Sequence, residues 1–595
     1  MARDDNKKTE LEGQAAIERW LKGVDAWNKW VEENPVADVS FAGADFSQYN
    51  KVSFMDYIFP KGDVRFNNAQ FGEGEVDFEG AQFGEGDVRF NNAQFGEGGV
   101  SFFKAKFGEG DVSFFKAQFG EGDVSFSNAQ FGEGDVSFSN AQFGEGYVRF
   151  SNAQFGEGDV SFFNAQFGEG DVSFFTAKFG EGDVSFNNAQ FGEGEVDFAG
   201  AQFGEGCVSF NNAQFGEGDV SFYYAQLGEG YVNFATAKFG DGDVSFFKAK
   251  FGDGGVNFFK AKFGEGDVDF TDVQFGEGSV NFSRAQFGEG DVNFLGAQFG
   301  EGDVNFSNVQ FGMGDVSFES IKLSGQFNFM DVTRTERINS LSFKFATFDG
   351  PLCLDNHNFN CVPDFTNTKL SHQLSLSHFT VSNKLTHKGY LIPHSLIILK
   401  KLWFGSELKH SKIKSSLKLS KKLSKKLPWL SKTTAADKQD IDRLRRLKEL
   451  AETNKHHKLA LDLHIEEMKS SRWIETTSKR ALLAEFLFEK FGDYGRSIQR
   501  PLLGITFLGF LCSPIYYYSS SVKNPLWSDA IYYSFSQMLH LIPSSRTGRS
   551  ELAKRLFEKA ELIPNHIFLL SWSQSLASIA LVFLLGLALR NRFRI

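Results

Sequence analysis

One twelve-residue phrase, AQFGEGDVSFSN at 129–140, recurs with small changes for about 250 residues. A repeat places like groups at regular intervals along a line, whereas a catalytic centre needs unlike groups converging on one point. Phenylalanine marks the period in two interleaved series. One runs through Phe71, Phe83 and Phe95 to Phe311, the other through Phe78, Phe90 and Phe102 to Phe318, with spacings that alternate between seven and five. Two positions before each ring stands Ala or Val, with a polar residue between; this is strand alternation over a short span, with Ala, Val and Phe facing in. The GEGD and SN or NN segments between them hold Gly, Asn and Asp, which accept left-handed turn conformations at little cost. Each unit therefore predicts two short strands and two corners. One unit cannot bury two large rings, but stacked units can, so the expected fold is mainly β, a solenoid.

Composition agrees with a folded chain whose core is aromatic. The 595 residues include 71 Phe against 11 Pro and six Met, with 41% hydrophobic content and a formal net charge of −13. Cys207, Cys353, Cys361 and Cys512 lack zinc-type or redox-type spacing, which predicts free thiols in a reducing compartment. The opening MARDDNKKTELEG has no signal-peptide pattern, so this part is expected in the cytoplasm.

The segments AQFGE and VSFSN resemble the pentapeptide-repeat family, whose units carry a small residue two before a central Leu or Phe. The resemblance implies a right-handed quadrilateral β-helix. This chain adds GD to every second unit, a five-five-two rhythm, so four faces would take 24 residues per coil; a flattened coil of twelve is the alternative. Degenerate copies extend the series back through VSFAGADF at 39–46 and forward through FATF at 345–348 and VPDFTNTKL at 362–370. Solenoid ends need covers. Before the repeats, Thr9 and Glu12 suggest a capping box, and Ile17, Trp20, Leu21, Val24, Trp27 and Val31 form an apolar helical stripe that stops before Pro35. This predicts an N-terminal helical cap, with a membrane-surface helix as the alternative. WNKWVEENP at 27–35 also resembles the lead-in of many pentapeptide-repeat chains.

Each consensus unit carries one Glu and one Asp. A solvated face is the first reading; calcium ladders and, by the family resemblance, DNA mimicry of the gyrase-protecting kind are the others. The two residues after each VSF ring vary most. Phe103, Phe115, Phe163, Phe175, Phe247 and Phe259, with Tyr223 and Tyr224, place a second aromatic there and form a candidate binding strip for a protein partner, unless they only stack between coils. No phosphate loop, nucleophile elbow or zinc-protease helix occurs, so no enzyme and no cofactor are expected. His456, His457 and His464 lie near Glu466 and Glu467, but at poor spacing for a metal.

From Lys384 to Lys432 there are thirteen lysines against one glutamate, Glu407. This stretch suits the rod's acidic face, an anionic leaflet or a plain solvated linker. Residues 437–491 read as two or three amphipathic helices. Two apolar segments follow, 501–518 and 567–589, and both predict transmembrane helices. Arg496 and Arg500 precede the first, while Arg590, Arg592 and Arg594 follow the second, so the positive-inside rule puts both outer flanks, and the rod, in the cytoplasm. FGDYGRSIQRPLL at 491–503 and GLALRNRFRI at 586–595 look like the flanks of the two-helix membrane region of some bacterial pentapeptide-repeat proteins. Between the spans, NPLWSDAIYYSFSQMLHLIPSSRTG at 524–548 resembles the pore helix of two-helix potassium channels, without their glycine-tyrosine-glycine filter. Trp527 and His540 lie in it. Ser571, Gln574, Ser575 and Ser578 make one polar stripe on the second span, able to line water or to bind a neighbouring helix.

The expected organisation is a helical cap over 1–38, a solenoid over 39–371, a Lys-rich linker over 372–434, a helical unit over 435–493, and over 494–595 two transmembrane helices with an intervening re-entrant or interfacial helix. The expected function is a non-enzymatic scaffold in a bacterial inner membrane, multi-pass, presenting an acidic solenoid in the cytoplasm to a protein partner. Alternatives are an oligomeric ion-conducting effector gated by the rod and a tethered DNA mimic. Lipid is an expected partner, a second copy is possible by this reading, and nucleic acid is not expected.

Overall fold

The computed structural model describes residues 9–390, 431–538, 544–558 and 563–593, in two compact units that meet in sequence at Ser382 and Asn383. The first is a parallel-strand β-solenoid of about sixteen coils. Val136 pairs with Val112 on one side and Val160 on the other. A second ladder pairs Val148 with Val124 and Val172. The AQF segments add two lines of parallel bridges, Gln118–Gln142–Gln166 and Gln130–Gln154–Lys178. Partners thus lie 24 residues apart, each coil has four sides, and the twelve-residue coil is excluded.

The core is built from rings because each coil sets its Phe directly over the one below. Phe150 stacks on Phe126 and Phe174, each at 4.9 Å and nearly parallel, and meets Phe138 and Phe162 edge-on at 5.3 and 5.4 Å. Such pairs add about 0.5–1.5 kcal/mol each beyond area burial. The other series, Phe131–Phe155–Phe179, stacks at 4.7 and 4.8 Å. Val, Ala and both Phe of each unit are buried, and the residues between them face out.

The corners divide the turn chemistry differently from the sequence expectation. The left-handed residue is the Asn of SN and NN: Asn128, Asn140 and Asn152 lie at φ 57–59°. The amide of Ala153 closes that turn on the Phe150 carbonyl at 3.0 Å, and Asn or Gly is favoured at its third position. Apart from Gly72 at φ 76° and Gly228 at φ 59°, the glycines of the GEGD-type corners do not adopt positive φ. A Cβ on Gly156 would stand 1.9 Å from the Gly132 carbonyl oxygen, so glycine is required there by the approach of successive coils.

The N-terminal stripe forms two helices, α1 (Gly13–Trp20) and α2 (Val24–Glu33), where one was expected; Gly23, at φ 82°, breaks them. The Thr9–Glu12 capping box does not form, because Glu10–Glu12 instead pairs with Asp38–Ser40 as the first strand of the long ladder. The break turns Leu21 outward while Trp20 and Trp27 stay buried, their indole N–H groups donating to the carbonyls of Ser53 at 2.8 Å and Ile58 at 2.9 Å. At the other end, pairing continues past residue 371: Asn358–Phe359 pairs with Thr380–Val381.

In the second unit, Leu385–Tyr390 pairs antiparallel with Ser431–Ala435 inside the stretch expected as linker; residues 391–430 lie outside the described residues. Helices α3 (Asp440–Thr453) and α4 (His457–Ser471) pack through Leu444, Leu447, Leu463 and Ile465, and α5 (Lys479–Gly492) follows. Four more helices complete the unit: α6 (Gln499–Tyr518), α7 (Trp527–Met538), α8 (Ser544–Phe557) and α9 (Asn565–Arg592). Helices α6 and α9 are long and apolar enough to cross a membrane.

Candidate functional site

The polar stripe of α9 faces α7. Gln574, 1% exposed, donates to the Ser534 hydroxyl at 2.8 Å and to its carbonyl at 3.1 Å, and accepts from Tyr516 at 2.8 Å. Ser571 donates to the Gln537 side chain, Ser575 to the Gln537 carbonyl and Ser578 to the Met538 carbonyl, each at 2.8 Å. The last carbonyls of a helix need partners from outside its own hydrogen-bond ladder, and an apolar surrounding offers them no water. The stripe therefore bonds to the C-terminal part of α7. Gly509 lets α7 come close: a Cβ there would meet the Phe535 ring at 2.5 Å. Trp527 opens α7 and stacks on Tyr517 at 4.0 Å; His540 lies outside the described residues. Away from this network α6 and α9 are apolar and open, with Phe507, Leu569, Trp572 and Leu576 each about two-thirds or more exposed. Gln574→Leu is expected to cost about 1–3 kcal/mol by removing the acceptor of the Tyr516 hydroxyl and the donor to Ser534, whose own hydroxyl still donates to the Gly509 carbonyl at 2.7 Å. Thermal melts in detergent should show a lower Tm for that variant and little change for Leu569→Ala on the open face.

The flanking arginines differ among themselves. Arg496 pairs with Asp462 at 2.6 Å and Asp493 at 3.4 Å, and Arg500 with Asp493 at 3.1 Å, tying α6 to the helical unit. Arg590 and Arg592 are exposed, and Arg594 lies outside the described residues. Of the histidine cluster, His464 joins a network around Glu467, which takes His464, Lys448 and Arg445 at 3.4, 2.5 and 3.2 Å, and these hold its carboxyl down at about 2. Glu466 is held by Lys469. Among the described residues no group of three His, Cys, Asp or Glu is arranged to hold a metal.

On the rod, the acids do structural work. Asp135 accepts the amide of Asp159 at 2.9 Å, and Glu145 that of Glu169 at 3.2 Å, so each carboxylate caps the same corner of the next coil. The candidate aromatic strip divides in two. With 24 residues per coil, Phe103, Phe175, Tyr223 and Phe247 share one corner column, while Phe115, Phe163 and Phe259 share the column half a coil away. Tyr223 stacks on Phe247 at 5.3 Å, and Tyr224 lies edge-on to Tyr223. Phe115, Phe163, Phe175, Tyr223 and Tyr224 are exposed; Phe103, Phe247 and Phe259 are half-buried.

One residue escaped the sequence reading. His357 is buried beside Phe329 and Phe359, with Nε2 2.6 Å from the Phe329 carbonyl and Nδ1 unpartnered. Its place in a degenerate coil carried no periodic signal. Burial lowers its pKa from the ordinary 6.5, against the opposing pull of the Phe329 carbonyl, Asp331 and Asp355. Below 6.5 the unfolded chain therefore binds a proton that folded His357 refuses, so its contribution to stability is complete above that value and falls as pH drops. Hydrogen exchange over 327–381 should be faster at pH 5 than at pH 7.5 after correction for intrinsic rates, and His357→Leu should shrink the difference.

No family model matches the chain, and no curated protein or solved structure matches it.

Proposed function

We propose that this protein is a non-enzymatic, membrane-anchored scaffold of the pentapeptide-repeat kind, holding a rigid acidic solenoid on the cytoplasmic side of a bacterial inner membrane for a protein partner. One observation carries the reading: α6 and α9 turn wide apolar faces outward while the polar stripe of α9 bonds to α7, in a chain whose other unit is a regular rod. An outer surface of that kind suits lipid. The rod supplies length, rigidity and repeated surface, which is what a scaffold uses. Exposed Arg590 and Arg592 favour a cytoplasmic end for α9, and two crossings then return the N-terminal side of α6 to the same face. Because the stripe bonds to α7, it supports anchoring over conduction.

The test is fractionation followed by proteolysis. The full chain is expected to stay with membranes through alkaline extraction, and protease added to intact spheroplasts should leave the rod whole. Release into the soluble fraction would overturn the anchor, and digestion of the rod would overturn the topology.

A further inference from the structure

Four units depart from the repeat in the same way: SFFKAK at 101–106, SFFKAQ at 113–118, SFFKAK at 245–250 and NFFKAK at 257–262. In each, lysine occupies the left-handed corner position that Asn usually holds: Lys104, Lys116, Lys248 and Lys260 lie at φ 55–56°. A long side chain is disfavoured in that conformation, and strain kept at a surface points to use. Each ammonium sits over its neighbouring ring, at 4.7 Å from Phe103, 5.1 Å from Phe115, 5.0 Å from Phe247 and 5.1 Å from Phe259. None of these four lysines makes an ion pair among the described residues.

The coil length arranges the four units into two collars. Phe103 and Phe247 stand on one corner, Phe115 and Phe259 on the corner half a coil away, and the collars are six coils, or about 29 Å, apart. The second collar is the larger. Arg284 also lies over Phe259, and Lys238 and Lys262 sit on adjacent coils in bridge register. In the regular part of the rod the two intervening corners of nearly every coil carry the GEGD carboxylates. Around the rod, acidic corners therefore alternate with corners that are basic and aromatic at the collars.

We propose that the collars dock the acidic corner of a second copy of this rod, side by side. The partner must present carboxylates along a stiff edge long enough to meet both collars, and the GEGD corner does so in nearly every coil. A flat anionic membrane can touch only one of two opposite corners. A flexible polyanion would meet repulsion from the acidic corners on either side. The rings, Phe115 exposed and the other three half-buried, supply apolar contact and the lysines supply register. Because opposite corners are alike, each rod has two such edges, and pairs can extend into a raft. This association does not depend on the membrane reading.

The experiment uses the full chain in detergent micelles, mixed in equal parts as unlabelled and 15N-labelled protein. A carbodiimide then joins lysines to carboxylates in direct contact. Light–heavy cross-links from Lys104, Lys116, Lys248 or Lys260 to GEGD carboxylates are expected at low ionic strength and should decline as salt is raised. A variant carrying Phe103→Ser, Phe115→Ser, Phe247→Ser and Phe259→Ser keeps every lysine and adopts a residue common at that corner, so the rod should fold. It is expected to lose about tenfold of the mixed cross-links, a shift worth about 1.4 kcal/mol. Cross-links confined within single molecules, or mixed cross-links equally abundant in the Ser variant, would overturn the proposal. So would capture by phosphatidylglycerol vesicles through the same rings without rod-to-rod cross-links.

Discussion

Phe150→Asp is expected to unravel the rod locally, at a cost of about 5 kcal/mol or more. Truncating a buried Phe alone costs about 3–5 kcal/mol, and an aspartate there adds an unpaired charge in an apolar core. Phe150 touches rings both in its own column, Phe126 and Phe174, and in the facing column, Phe138 and Phe162, so the substitution removes stacking on four sides. Because each coil contacts only its neighbours, the damage should spread over a few coils and fade. Hydrogen exchange resolved by coil should show a minimum of protection around residues 126–174. Two residues away, Asn152→Asp should be near neutral, since Asp tolerates φ near 57° and a carboxylate can still accept the Thr176 hydroxyl at 2.6 Å. Equal effects at the two sites would refute the inward and outward assignment.

Gly156→Ala is expected to be almost as damaging, although it adds a single methyl group at a surface corner. The new Cβ would lie 1.9 Å from the Gly132 carbonyl oxygen, a backbone atom held by its own coil. Separating the coils there would stretch the ladder amide bonds on both sides, so a cost of about 3 kcal/mol is expected. Gly99→Ala makes the comparison, because the nearest atom to a Cβ at Gly99 is the Asp123 carbonyl oxygen at 3.5 Å, ordinary contact. That substitution should be neutral or stabilising by up to about 1 kcal/mol through the unfolded chain. Tm values for both variants would check the contrast; similar losses would show that coil approach is not what demands glycine.

Much of the rod was legible in the sequence, because its determinants are local. Val and Phe two residues apart with a polar residue between define an inward face wherever the strand lies, so Val136 and Phe138 are buried and Ser137 is not. The two long apolar helices were legible for a similar reason, since length and apolar content do not depend on neighbours. The candidate site was only partly legible. Ser571, Gln574, Ser575 and Ser578 mark a polar face by helical spacing, but spacing does not say whether water or α7 lies opposite. The cap shows the opposite failure: Thr9 and Glu12 had the local signature of a helix start, and pairing of Glu10–Glu12 with Asp38–Ser40 overrode it.

The sequence by itself determined that this chain is a stack of Phe-cored coils followed by apolar helices, because a twelve-residue period and strand alternation leave two rings per unit that only stacking can bury. It did not determine how many units close a coil. A repeat reads the same whether Val136 pairs with Val148 or with Val160, and tertiary pairing chose Val160. That choice separated the aromatic positions into two columns, placed carboxylates over one another at the intervening corners, and made glycine obligatory where Gly156 passes Gly132. Each of these follows from which coil lies above which, a contact between residues 24 apart that no local propensity encodes.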